Sequence, residues 1–332
     1  MHALLLKAPQ ELSYEEVPVP TPGPGDLLIK VKATTTCGTD LKAFRRGHPM
    51  IPMPGPLGHE YSGVVVAAGE GAKFKVGDPI MGVHSAPCQT CYWCQHGQEN
   101  LCETIMATMV LGSYAEYLLI PKRIADLNVF DKPDSISFEM ASLLEPLACV
   151  AQGVSKLPLT PDSSVLVIGP GAIGLMFVAA LKAVGVEDVT LAGRNAGRLA
   201  VGESLGAKTS FITEIPFGNP NRYDIVVECT GQVEVWEWSV NYSRRGGTVM
   251  LFGGCPSGTR ASFDTAHLHY DQVTLLSPFH FGTDAVKMSR DWLLNSNMDL
   301  SPIISGERKL KEGRAVLEDL EASRGLKYVF KP

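Results

Sequence analysis

The sequence predicts an α/β protein in which a doubly wound parallel sheet follows a mainly β first half. Three observations predict it. A length of 332 residues at 45% hydrophobic content provides for two ordinary cores rather than one small module. Up to about Val150 the chain reads as short strands between Pro and Gly turns, whereas from Ser163 short apolar strands alternate with helical segments. Six such strands in βα alternation form a parallel sheet with helices on both faces.

Taken in order, Pro18, Pro20, Pro22 and Pro24 punctuate the opening, residues 26–36 nearly alternate, and 59–68 is a Val-rich run, with glycines closing each run. A helical stretch over 138–156 joins the two parts, and LPLTPDSS after it supplies the prolines and polar residues that precede a new sheet. The strands of that sheet are expected at 165–168, 189–192, 209–212, 224–228, 248–252 and 273–277. Beyond about Gly282 no further βα unit follows, so the tail is expected to return to the first part. The boundaries are therefore 1–150, 151–282 and 283–332. No internal repeat or low-complexity segment is visible.

Composition excludes several classes. With 29 Lys plus Arg against 35 Asp plus Glu, a net charge of -6 and no basic run, the chain has no electrostatic footprint for nucleic acid. Mean hydropathy is only +0.07, and the longest apolar stretch, 172–186, is interrupted by Lys182, so no membrane span is expected. The opening MHALLLKAP lacks a basic segment and a long apolar core, which argues against a secretory leader and for a cytoplasmic protein.

The run 165–168 leads directly into Gly169-Pro-Gly171-Ala172-Ile173-Gly174 and then into a helix-compatible stretch. Between a strand and a helix this spacing is a dinucleotide-binding signal. The first glycine makes the tight turn, the second leaves room for pyrophosphate, and the third permits close helix–strand contact. The pyrophosphate then meets the free N–H groups of the helix N-terminus. An NAD site usually has an acidic residue about twenty positions on, at the end of the second strand, to bind the adenosine ribose. Here Gly193, Arg194 and Asn195 stand there, with Arg198 one turn further. A glycine removes repulsion toward a 2'-phosphate and an arginine can pair with it, so NADP is expected over NAD. On this reading, Gly193→Asp should move the preference toward NAD.

Eight cysteines would suggest disulfides in a small secreted chain, but four of them follow the pattern Cys88-x2-Cys91-x2-Cys94-x7-Cys102 in a longer one. Four thiolates in one loop form the closed tetrahedral shell that a structural zinc prefers, with no open position for chemistry; an iron–sulfur cluster or a redox pair is the competing reading, against which stands the lack of ferredoxin spacing. A second constellation is dispersed: Cys37 in Cys-Gly-Thr-Asp40, His59-Glu60 in Gly-His-Glu-Tyr-Ser-Gly63, and Glu145 in Leu-Leu-Glu-Pro-Leu147. Each alone is unremarkable.

Together with the motifs around them, these residues resemble the zinc-dependent medium-chain alcohol dehydrogenase family, in its sorbitol and threonine dehydrogenase branch. The resemblance runs through nearly the whole chain: Cys-Gly-Thr-Asp40, Gly58-His59-Glu60-x2-Gly63-x5-Gly69, Val76-Gly-Asp78, the four-cysteine lobe, Glu145-Pro-Leu147, the glycine loop and Glu228-Cys-Thr230-Gly231. It implies a GroES-like catalytic domain completed by the C-terminal segment, a Rossmann domain, an active site in the cleft, and a homodimer or homotetramer. Cys37 and His59 match ligands of the catalytic zinc and Glu60 matches the glutamate that ligates in the polyol branch. Glu145 matches a position that is either a ligand or a partner of the metal-bound water. Thr39 matches the hydroxyl that receives the substrate proton, and Thr230 falls in the cofactor-binding set. The set thus implies two zinc ions, one catalytic and one structural, and a small alcohol or ketone substrate.

One position departs from the pattern: Lys42 stands where many relatives carry the histidine that completes the proton relay, and His48 is the candidate substitute. Histidines 2, 84, 96, 267, 269 and 280 have no motif around them and read as structural. Two rivals to a zinc alcohol dehydrogenase are weighed. A zinc-free quinone or enoyl reductase on the same fold lacks the Cys37, His59 and Glu60 set. A non-catalytic nucleotide-binding protein has no need of Thr39 and intact ligands. The substrate pocket is expected on the loops 44–56 and 279–281, both aromatic and proline-rich.

Overall fold

The computed structural model describes residues 1–216, 223–295 and 298–332. It divides into two compact units: Met1–Ala148 with Phe281–Asn295 and Ile304–Pro332, and Cys149–His280 with a short piece ending at Ile303.

The first unit is built on a seven-stranded, largely antiparallel sheet among the described residues. Its central strand, Leu27–Thr35, turns Ile29 and Val31 fully inward while Lys30 and Lys32 face water, the period of two expected of a strand with one wet face. It pairs antiparallel with Tyr61–Ala68, with Thr34 opposite Tyr61 and Val31 opposite Gly63. At Gly63 a Cβ would come within 2.4 Å of the Lys30 carbonyl oxygen, so this crossing admits only glycine. The last strand, Lys327–Phe330, adds to the same central strand, with Val329 opposite Thr35. The C-terminus is thereby brought beside the residues that lead into Cys37. The helix Gly38–Arg46 follows and buries Ala43 and Phe44 against Leu57, Tyr114 and Phe330. Burying a phenylalanine ring in this way contributes about 1.5–3 kcal/mol. Phe44, at the start of the loop 44–56, is therefore core.

The segment read as one helical stretch over 138–156 is two helices. Phe138–Ala141 is capped by the Ser137 hydroxyl, which accepts from the Met140 N–H, and Leu144–Val154 begins after a break at Ser142 and Leu143.

The second unit carries a six-stranded parallel sheet. Across it the order is Lys208–Phe211, Asp188–Gly193, Ser164–Ile168, Tyr223–Glu228, Ser243–Leu251 and Thr274–Leu276. This is the doubly wound arrangement, with the strand order reversing at Ser164–Ile168. Val165, Leu166, Val167 and Ile168 are all buried, which explains a continuous apolar run rather than an alternating one. The helix Ala172–Ala183 is buried from Gly174 to Leu181, consistent with its apolar character all round. Among the described residues no helix is long and apolar enough to cross a membrane.

Candidate metal centres and cofactor site

Cys37 ends the backbone run that leaves the central strand and caps the helix Gly38–Arg46, its Sγ accepting the Thr39 N–H at 3.4 Å. His59 and Glu60 lead into the neighbouring strand. Gly58 ahead of them has φ +88°, and a Cβ there would lie 2.4 Å from the Tyr114 ring. Only glycine lets the chain turn His59 into position. The result is one cluster in which the ligand atoms of Cys37, His59 and Glu60 all lie within 4.8 Å of one another.

Buried partners hold this cluster. His59 Nδ1 is 3.5 Å from Asp40 Oδ1, and Asp40 also accepts the Tyr114 hydroxyl at 2.6 Å and the Gly58 N–H at 3.3 Å. Burial alone raises the Asp40 pKa, but His59 and these hydrogen bonds hold it below the usual carboxylate value. Burial works against charge on His59, yet Asp40 and Cys37 lift its pKa well above the imidazole norm. Glu60 is fully buried and both its oxygens lie 2.6 Å from Lys327 Nζ, while the Thr35 hydroxyl donates to it as well. Lys327 donates further to the Thr36 carbonyl at 2.7 Å. Burial pushes the Glu60 pKa up and Lys327 only partly offsets this. Glu145 stands outside the three-residue cluster: its Oε1 is 3.2 Å from His84 Nδ1, and the His84 ring lies 5.1 Å from that of His59 and edge-on to Phe281 at 5.7 Å.

The donor chemistry of the cluster fits zinc. Thiolate, imidazole and carboxylate are its preferred ligands, and three of them leave a fourth position for a substrate oxygen or water. Asp40 supplies the outer carboxylate that fixes a ligating histidine's orientation.

The second group, Cys88, Cys91, Cys94 and Cys102, likewise places all four sulfurs within 4.8 Å. Cys88 and Cys94 Sγ are 4.0 Å apart and Cys91 and Cys94 Sγ 3.5 Å, close to the roughly 3.8 Å edge of a tetrahedron with Zn–S of about 2.3 Å. The Cys91 N–H donates to Cys88 Sγ at 3.3 Å and the Cys88 N–H to Cys102 Sγ at 3.2 Å. Hydrogen bonds from Thr90, then Cys91, bring the Cys88 thiol down to about 5, the thiolate form a metal needs.

In the second unit Gly169 sits at φ +105° with its N–H on the Ala192 carbonyl at 2.9 Å, tying the glycine loop to the end of the second strand. A Cβ on Gly174 would lie 2.0 Å from the Gly169 carbonyl, whereas one on Gly171 would meet nothing within 4 Å. The division of labour among the three glycines is thus visible in the packing. Gly171 caps the helix Ala172–Ala183 without any side-chain cap, and Ala172 and Ile173 lie half-buried in its first turn. These N–H groups suit a pyrophosphate. Gly193 is buried at the end of its strand, Arg194 and Asn195 are exposed, and Arg198 is half-buried, with its N–H on the Asn195 side chain at 3.0 Å. Thr230 is fixed by Glu228, which accepts its N–H at 2.5 Å and its hydroxyl.

Residues 23–132 match the family of the alcohol dehydrogenase GroES-like domain, and residues 172–295 match that of the zinc-binding dehydrogenase. L-threonine 3-dehydrogenase of Yersinia pestis (strain Pestoides F) is 30% identical over 98% of this chain and 97% of its own. The chain belongs to the zinc-dependent medium-chain alcohol dehydrogenase family. D-arabinitol dehydrogenase 1 of Uromyces fabae is 28% identical over 100% of this chain and 97% of its own length. A protein from Sinorhizobium meliloti 1021 solved bound to NADP superposes with TM-score 0.90 at 29% identity, covering 100% of this chain and 99% of that one.

As a member of this family the chain is an enzyme, an oxidoreductase that works with zinc and a nicotinamide cofactor, with a GroES-like part and a Rossmann part. Sequence reasoning passed over three residues of this medium-chain dehydrogenase's site. Asp40 lay inside the quoted Cys-Gly-Thr-Asp40 motif without a role. His84 lay three residues before Pro87-Cys88 with no motif of its own, and Lys327 lay in the tail. A charged residue in an otherwise apolar closing strand, Lys327-Tyr-Val-Phe330, was the available signal.

Proposed function

We propose that this dehydrogenase transfers hydride between a secondary alcohol or polyol and NADP, with one catalytic and one structural zinc. The convergence of Cys37, His59 and Glu60 carries the reading, because it is a donor set with an open position rather than a closed shell. Zinc held there supplies Lewis-acid polarisation of the substrate oxygen. Thr39, half-buried and tied to Cys37 through its N–H, would take the substrate hydroxyl proton, and a bound nicotinamide would supply the hydride acceptor. His48 passes the proton on toward solvent in place of the usual histidine, whose position Lys42 occupies. It is half-buried, its Nδ1 accepts the Met50 N–H at 3.3 Å, and burial followed by Lys42 and Arg46 lowers its pKa, so the neutral ring carries its hydrogen on Nε2 and would take up a proton at Nδ1 once the Met50 bond is released. His84 and Glu145 line the same neighbourhood and orient what enters it. Gly169, Gly171 and Gly174 with the first turn of the helix take the pyrophosphate, and Gly193, Arg194, Asn195 and Arg198 take the phosphorylated ribose. The two groups of potential metal ligands support two zinc ions.

The same reading assigns a cytoplasmic location, supported by four of the eight cysteines grouping as potential metal ligands, the use of cysteine expected in a reducing compartment. It assigns a homodimer or homotetramer, supported by Thr274–Leu276 as an edge strand of the six-stranded sheet among the described residues.

The test is absorbance-monitored cofactor reduction by the zinc-loaded protein, with NADP and NAD in parallel, over secondary alcohols, polyols and threonine. Turnover of one alcohol class mainly with NADP is expected. An equal or better rate with NAD would overturn the cofactor assignment, and silence across the panel would overturn the substrate class.

A further inference from the structure

We propose that Pro170, the second residue of the glycine loop, determines cofactor specificity by filling the space at Gly193 that an NAD-selecting carboxylate side chain needs. The inference rests on the reading of the site as one for a 2'-phosphorylated adenosine.

Gly193 ends the strand Asp188–Gly193 and is buried there. A Cβ placed on it would lie 2.4 Å from both Cγ and Cδ of Pro170 and 3.5 Å from its Cβ. Carbon atoms in contact sit about 3.5–4.0 Å apart, so the first two approaches are overlaps and the third is ordinary packing. Nothing nearby relieves the overlap cheaply. The pyrrolidine ring has no rotamer to swing away into, and its own φ is fixed. The residue before a proline is restricted too, and here Gly169 is already held at φ +105° with its N–H on the Ala192 carbonyl. Any side chain at 193 must therefore displace the Gly169–Gly171 turn. That turn presents the amides that receive the pyrophosphate, so the displacement weakens either cofactor. Gly193 and Pro170 act as one packed pair that excludes a carboxylate from the ribose position, while Arg194 and Arg198 remain beside it for the phosphate. On this proposal Gly193→Asp alone does not redirect the enzyme to NAD, contrary to the expectation from sequence.

The decisive experiment measures calorimetric binding of 2',5'-ADP, 5'-AMP, NADP and NAD to the zinc-loaded protein and to Pro170→Ala, Gly193→Asp and the double variant. Removing Cγ and Cδ leaves only the 3.5 Å contact, so Pro170→Ala is expected to keep 2',5'-ADP ahead of 5'-AMP. Gly193→Asp alone should bind all four ligands about tenfold or more weaker with no gain for NAD. The double variant should regain NAD and prefer it. A Gly193→Asp protein that switches to NAD as well as the double variant does would overturn the proposal. A second cycle reads the packing without cofactor: Gly193→Ala should lower the thermal midpoint, and less so when Pro170→Ala is already present. Purely additive midpoints would also overturn it. If the unmodified protein shows no preference for 2',5'-ADP, the phosphate reading fails, and this second cycle still decides whether Pro170 and Gly193 exclude each other.

Discussion

Lys327 and Glu60 meet in a fully enclosed place, 267 residues apart in sequence, and the energetics of that pair are asymmetric. A buried ion pair contributes little net stability, but removing one partner strands the other charge at a cost of about 3–5 kcal/mol. Lys327→Met should therefore lower the unfolding free energy of the metal-free protein by about that amount in a denaturant titration, and adding Glu60→Gln should recover part of it. A loss below about 1 kcal/mol would mean that the Thr35 hydroxyl and burial alone hold Glu60, with the carboxyl protonated. Asp40 acts on the same cluster from the other side. Its contact with His59 Nδ1 leaves Nε2 as the nitrogen that can face a metal. Asp40→Asn keeps the shape but loses the charge, so zinc affinity at this site should fall about 10–100-fold in a competition titration against a chelator, while the four-cysteine site keeps its affinity.

At the scale of elements, the four-cysteine lobe and the parallel sheet differ in what orders them. The lobe holds only the short helix Tyr92–Gln95 and a 3-10 turn at Glu99–Leu101, and Tyr92, Trp93 and Leu101 are exposed. With so little apolar burial, its order is expected to depend on a metal held by the four cysteines. Cys91→Ser should raise amide hydrogen exchange across residues 88–102 and leave the strand Ser164–Ile168 as protected as before. Unchanged exchange in the lobe would show that the backbone N–H···S bonds suffice. The sheet was legible in the sequence for the opposite reason. Strands buried on both faces read as continuous apolar runs, so the expected 165–168 and 189–192 are found within Ser164–Ile168 and Asp188–Gly193. The strand expected at 248–252 starts earlier, at Ser243, because Arg244, Arg245 and Gly246 form an exposed extension with no apolar signal. The break at Ser142 and Leu143 was marked by Pro146, which has no N–H to give to the Ser142 carbonyl and so fits only the first turn of a new helix. Candidate metal donors were legible where they cluster in short motifs, as Cys88 to Cys102 and His59-Glu60 do. His84 and Lys327 were not, since only the tertiary fold brings them to Glu145 and Glu60.

For the whole molecule, each unit has a core of its own: one gathers Leu4, Phe44, Leu57, Tyr114 and Phe330, another Leu166, Val226, Val249 and Leu251. Both groups of potential metal ligands lie in the first unit and the glycine loop proposed for the cofactor lies in the second. A ligand that binds only the folded form stabilises it by RT ln(1 + [L]/Kd), about 2.7 kcal/mol at a hundred times Kd. Saturating 2',5'-ADP should thus raise the unfolding temperature of the second unit by roughly 5–10 °C, and stripping zinc should lower that of the first. Differential scanning calorimetry with and without each ligand, and before and after a strong chelator, reads both. Two transitions that respond to different ligands would establish the units as separately cooperative. A single transition moved equally by zinc and by 2',5'-ADP would instead show one cooperative unit, in which loss of either ligand weakens the whole enzyme.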